Sequence, residues 1–130
     1  MSPKPPANTL RKEERISLQR EIDLLYKQGQ SFKSFPMRVV YLSVETPEPP
    51  SVSILTVVSK KNFKRATARN YIKRRIRESY RIRKHKLVAT IGLGNRSLLI
   101  AFMYIDKAKC TFGIIDDAMT KALATMIRKL

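Results

Sequence analysis

From Lys60 to Lys86 the chain carries 13 lysines and arginines in 27 positions and a single acid, Glu78. Set at ~100° steps around a helix, the second half of this block separates into two sectors. Ala68, Ile72, Ile76, Ser79 and Tyr80 share one arc, a stripe that can be buried. Lys73, Arg74, Arg77, Arg81 and Lys84 share a neighbouring arc about 100° wide, together with Asn70. An ordinary solvated helix face mixes signs, because i,i+4 ion pairs support it and like charges there are costly. A face of one sign accepts that repulsion, which points to a polyanion rather than to water. Arginine outnumbers lysine in the helix, and its planar fork suits phosphate oxygens and guanine edges.

The whole chain has the same bias, with 27 Lys plus Arg against 10 Asp plus Glu and a net charge of +17. Charge of that size repels itself in a compact fold and favours a nucleic-acid partner over a membrane surface or an acidic protein. At 130 residues and 43% hydrophobic content the chain can still bury one core without disulfides. Cys110 is its one cysteine, so no intramolecular disulfide forms, which fits a reducing compartment. The N-terminus lacks the apolar region of a signal peptide, and no apolar run reaches the ~18 residues of a membrane span. The expectation is a soluble, cytoplasmic protein.

The arrangement along the chain predicts a basic arm over residues 1–14 and a single domain over 15–130. Residues 1 to 9 hold three prolines, and Lys4, Arg11 and Lys12 add charge. A helix is expected from Ser17, as N-cap, to Gln28, with Leu18, Ile22, Leu25 and Tyr26 at helical spacing and Gly29 as its stop. Met37–Val44 and Val52–Ser59 are rich in β-branched residues and read as strands, with the proline-rich ETPEPP between them as a loop. Two strands so close in sequence are expected to pair as an antiparallel hairpin. Ser59, Lys60 and Lys61 follow the second strand, and Lys64 and Arg65 stand before the basic helix.

Beyond that helix, Gly92, Gly94 and Asn95 mark Ala89–Arg96 as a loop. Ser97–Ile105 is apolar on both faces and reads as a central strand. The last helix, about Thr111 to Leu130, places Ile115, Met119, Leu123, Met126 and Ile127 on one face, with Asp116 and Asp117 read as dipole partners in its first turn. The order α-β-β-α-β-α predicts an α+β domain, a small sheet covered by helices.

Arg69-Asn70-Tyr71-Ile72-Lys73-Arg74, followed after two residues by Arg77 and preceded by Ser59-Lys60-Lys61, resembles the signature of the ribonuclease P protein family. That signature reads Arg-Asn-Arg-Ile-Lys-Arg, two residues, Arg. The chain departs from it at Tyr71, where arginine is usual, and its linker from Ser59 to Arg69 is about one residue longer. The resemblance extends from about Arg15 to the C-terminal helix, with Arg15-Ile16, Ile22 to Gly29 and Val39-Val40-Tyr41 in register.

The resemblance implies a four-stranded sheet in the order α-β-β-(β)-α-β-α with a left-handed βαβ crossover. It also implies a protein that binds a catalytic RNA, the ribonuclease P RNA, and the 5′ leader of the precursor tRNA which that RNA cleaves. The hydrolysis would belong to the RNA and its Mg²⁺, with no cofactor held by the protein. On this chain the contacts to the catalytic RNA would be Lys64, Arg65, Arg69, Asn70, Lys73, Arg74, Arg77 and Arg81. The leader cleft would be formed by Ile22, Tyr26, Tyr41, Lys60 and Lys61. An aromatic is usual where Ile22 stands, so stacking there is reduced to an apolar contact.

Taken alone, Tyr26 and Tyr41 read equally as half-buried core, Asn70 as a group that steadies the helix start, and Phe32, Phe35 and Phe63 as either core or RNA contacts. No catalytic constellation accompanies them. His85, the one histidine, lies in a basic run without a carboxylate to orient it. Cys110 has no histidine partner, and Gly92 and Gly94 lack the continuation of a phosphate loop. The rival classes are a ribosomal or RNA-chaperone protein, a membrane-surface or acidic-protein binder, and a DNA-binding helix that lacks its preceding short helix.

Overall fold

A computed structural model describes residues 19–45 and 50–130. The expected arm over 1–14, the Ser17 cap and most of the ETPEPP link lie outside the described residues. The elements are α1 (Gln19–Gln28), β1 (Gln30–Ser34), β2 (Met37–Glu45), β3 (Val52–Val58), α2 (Ala66–Arg83), α3 (His85–Gly92), β4 (Arg96–Tyr104) and α4 (Phe112–Lys129). The four strands form one mixed sheet in the order β1-β2-β4-β3.

β4 takes the centre, as its doubly apolar sequence predicts: every residue from Ser97 to Phe102 is buried. It runs antiparallel to β2 and parallel to β3. The expected hairpin of β2 with β3 is therefore not formed. Each pairs instead with β4, the most completely buried strand, which separates them. Their ends still lie close, since Glu45 is opposite Arg96 and Val52 opposite Leu98. The link has only to cross two strand spacings, about 10 Å. Arg96 fastens this corner, donating to the Ser43 hydroxyl at 3.0 Å and the Ser43 carbonyl at 2.9 Å.

The hairpin that does form joins β1 to β2 through the turn Phe35-Pro36, whose peptide bond is cis. The main core lies between one face of the sheet and α2, α3 and α4. It gathers Val39, Ile54, Ile100 and Phe102 from the strands with Ile72, Ile76, Tyr80, Leu87, Ile115 and Met119 from the helices. Each fully buried aliphatic side chain contributes about 1.5–3 kcal/mol relative to exposure. The other face carries a smaller cluster, Leu25 of α1 with Val40, Leu99 and Ala101.

Gly29 ends α1 for a different reason from the one expected. Its φ is not positive, but a Cβ there would lie 2.3 Å from the Leu25 carbonyl oxygen and 2.9 Å from the Val40 Cγ1. Only a residue without a side chain lets the helix pass so close to β2. The first half of the region expected as a loop before β4, residues 89–92, belongs to α3, whose Leu87 and Ile91, one turn apart, are both buried; the turn itself is confined to residues 93–95. Asp116 and Asp117 also lie beyond the first turn of α4, which contains no acid. The cap is Thr111, whose side chain accepts from the Ile114 amide at 3.4 Å.

Candidate nucleic-acid interface

The basic helix is positioned by its buried sector. Ile72, Ile76, Ser79 and Tyr80 are each fully buried, and Ala68 packs against the same core. At its start the Ser59 carbonyl accepts the Phe63 amide at 3.0 Å, and the Phe63 ring enters the core 5.9 Å from Tyr104. Arg65 caps α2 with no side-chain bond to the free helix amides. Arg69 supplies the fastening instead. Its guanidinium donates at 2.8 Å to the carbonyls of both Phe63 and Lys64, holding the linker onto the first turn.

With α2 held this way, Lys64, Arg65, Asn70 and Arg74 are exposed, and Lys73, Arg77 and Arg81 are half-exposed. Arg69 and Arg81, both expected contacts, have their charge engaged within the chain. Arg69 serves the linker, and Arg81 is bound by the Glu78 carboxylate at 2.5 Å. Arg81 in return holds the Glu78 carboxyl below its ordinary range, chiefly by that hydrogen bond. Lys84, placed by spacing on the basic arc, is 6% exposed at the break between α2 and α3 and leaves that face. Asn70 lies five residues into the helix, away from the cap, beside Arg74 on an open hollow.

The expected leader residues divide between the two faces of the sheet. Ile22 packs on the smaller cluster, and Tyr26, one turn further along α1, is 45% exposed, its phenol pKa raised by partial burial. Tyr41 does not join them. It shares its face of β2 with Met37 and Val39 in the main core, donates to the Gln30 Oε1 at 2.9 Å, and lies 5.9 Å from the Phe32 ring. Strand alternation places Val40 and Leu42, not Tyr41, on the α1 side.

The register reveals what that outer face carries instead. Lys33, Arg38, Met103 and Val57 stand opposite one another in one row across all four strands, and Ser31, Val40, Ala101 and Leu55 form the next. Lys60 and Lys61 follow β3 at the same end of the sheet, both exposed. An apolar floor therefore ends in a rim of Lys33, Arg38, Lys60 and Lys61. Lys33 and Arg38 were not among the expected contacts: the residues of β1 were not read as a strand, and Arg38 was read only as part of β2. Of the three ambiguous phenylalanines, Phe63 is core, Phe32 packs on the core, and Phe35 is 60% exposed at the β1–β2 turn.

Burial pushes the Cys110 thiol up, and the thiol lies against the Asp106 carboxylate at 3.4 Å. No cluster of three metal-ligating side chains occurs among the described residues. No helix among them is long and apolar enough to cross a membrane.

Comparison with known proteins bears on the family and the fold. The ribonuclease P family model matches residues 10–126. The ribonuclease P protein component of Porphyromonas gingivalis strain W83 is 37% identical over 119 residues, 92% of this chain and 87% of that protein. That of Chlorobium phaeobacteroides is 34% identical over 110 residues, 78% of this chain and 75% of its own. In fold, the Staphylococcus aureus RNase P protein superposes with a TM-score of 0.66 at 23% identity, covering 87% of this chain and 94% of that one. The Thermotoga maritima RNase P protein gives 0.65 at 24%, covering 86% and 96%. With the family model spanning nearly the whole chain and the element order shared, the chain belongs to the ribonuclease P family, as a protein component of that enzyme.

Proposed function

We propose that the chain binds the ribonuclease P RNA through the basic sector of α2 and the 5′ leader of precursor tRNA through the outer face of its sheet. The observation that carries this is the division of α2. A fully buried sector fixes the helix, and Asn70, Lys73, Arg74 and Arg77 stand beside it on a surface of one sign. Phosphates neutralised there release counterions, which makes binding tight at low salt and weak at high salt. Lys64 and Arg65 extend the surface along the linker.

The leader is read as a single strand lying on the floor between α1 and β3. Ile22, Tyr26, Leu55 and Met103 give sequence-tolerant apolar contact, and the Lys33, Arg38, Lys60 and Lys61 rim takes the backbone. Hydrolysis would belong to the RNA and to the Mg²⁺ it requires, which would activate the attacking water and stabilise the leaving oxygen. The protein's part is to neutralise charge and position the substrate, in the cytoplasm.

The test is cleavage of a 5′-extended precursor tRNA by a bacterial ribonuclease P RNA at low Mg²⁺, with and without the protein. Strong stimulation, reduced when the leader is cut to one or two nucleotides, is expected. Tight salt-sensitive binding with no stimulation of the cognate RNA would instead make the chain a general RNA-binding protein.

A further inference from the structure

Tyr71, the departure from the family signature, lies on a third sector of α2, between the basic arc and the buried stripe. Its ring is 39% exposed. Two cations converge on it from different elements. The Arg75 guanidinium, one turn along α2, is 4.4 Å from the ring centroid, and the Lys109 ammonium, from the segment between β4 and α4, is 5.3 Å away. Neither cation makes an ion pair with a carboxylate among the described residues. Thr67, Asn70, Tyr71, Arg74 and Arg75 line an open hollow of about 320 Å³ on this side of α2.

We propose that Tyr71, Arg75 and Lys109 form a nucleotide site that takes one unpaired base of the RNA partner together with its phosphate. The inference rests on the reading of α2 as an RNA-contact helix and adds a specific contact to it. A phosphate site alone would need only the cations, as the usual arginine would supply. An aromatic ring adds a flat surface on which any base can stack. A base arriving on the ring displaces a cation from it, and the displaced cation finds the phosphate of the same nucleotide within reach. Asn70 offers a donor and an acceptor to the base edge, and Arg74 a second phosphate contact. Bases inside a duplex already have both faces covered, so the site selects a bulged or single-stranded nucleotide.

The chain contains no tryptophan, so Tyr71→Trp places a single indole reporter in the site. The probes are two RNA hairpins of equal length and charge, one fully paired and one with a single-nucleotide bulge. The expected result is quenching of the indole by the bulged hairpin and little change with the paired one. In the wild-type background, Tyr71→Ala should weaken binding of the bulged hairpin roughly 5- to 100-fold, the range of one lost stacking contact, and leave the paired one nearly unaffected. Tyr71→Phe should keep most of the preference. The exposed position predicts an unchanged thermal transition for all three variants, which separates lost contact from lost fold.

Equal responses to both hairpins would overturn the base site. If binding then remains sensitive to Arg74→Ala, α2 is an RNA surface without a nucleotide pocket. If the wild-type protein binds neither hairpin at low salt, both the pocket and the RNA-contact reading of α2 fail.

Discussion

The carboxylate of Asp116 on α4 takes the Arg83 guanidinium at 2.7 Å and the buried Ser79 hydroxyl at 2.7 Å, so one side chain ties the last helix to the end of α2. The Arg83 hydrogen bond, more than any other influence, holds the Asp116 carboxyl below the usual carboxylate range. Replacing Asp116 with Asn should cost about 1–2 kcal/mol, mostly through the charged hydrogen bonds lost. A lowered folded-state pKa adds stability above the unfolded value near pH 4 and loses it as pH falls through the folded one. The gap between wild type and variant in thermal unfolding should therefore be steady above about pH 5 and narrow in acid. A gap that widened in acid would contradict the pairing.

Arg69 and Arg74 are both signature arginines, yet they should behave differently. Arg69→Ala frees the Phe63 and Lys64 carbonyls and should lower stability by about 1–2 kcal/mol. Arg74 makes no side-chain hydrogen bond or ion pair among the described residues, so Arg74→Ala should weaken RNA binding at nearly constant melting temperature. Paired melting and filter-binding measurements on the two variants check the distinction.

Glu78 shields part of the basic helix by pairing with Arg81. Glu78→Gln should raise affinity for RNA a few-fold at low ionic strength, with the gain fading at higher salt as screening takes over. A titration at two salt concentrations reads this directly. An unchanged or weakened affinity would mean that Arg81 faces away from the RNA.

Arg38→Ala removes a rim cation from the outer sheet face without touching α2. Affinity for a precursor with a long leader should fall several-fold, and the slope of log K against log salt should shrink by about 1. Binding of a substrate with a one-nucleotide leader should barely change. Equal losses on both substrates would remove Arg38 from the leader path.

The two sectors of α2 were legible because helical period alone separates them, and Ile72, Ile76 and Tyr80 are buried as spacing requires. Strand parity was harder to read. Val39, Val40 and Tyr41 are all apolar because both faces of β2 are covered, so nothing in that run tells which side Tyr41 faces. The fourth strand was implied by the family resemblance but not placed, since QSFKS has no β-branched residue and is held mainly by pairing with β2. α3 was hidden by Gly92, Gly94 and Asn95 just beyond Leu87 and Ile91. The roles of Arg69, Asp116 and Glu78 depend on partners that residue type does not name. Asp116 finds Arg83 from 33 positions away.

The central place of β4 has a consequence for a chain emerging from the ribosome. β2 and β3 are made first but have no shared ladder to form, and the strand that joins them follows the whole basic helix. Until residue 104 is available, α2 has no completed sheet to lie on, and its positive face is presented by an unfinished domain. Such late, long-range closure makes folding slow relative to a helical bundle. A polyanion that met the half-made chain would screen the repulsion within α2.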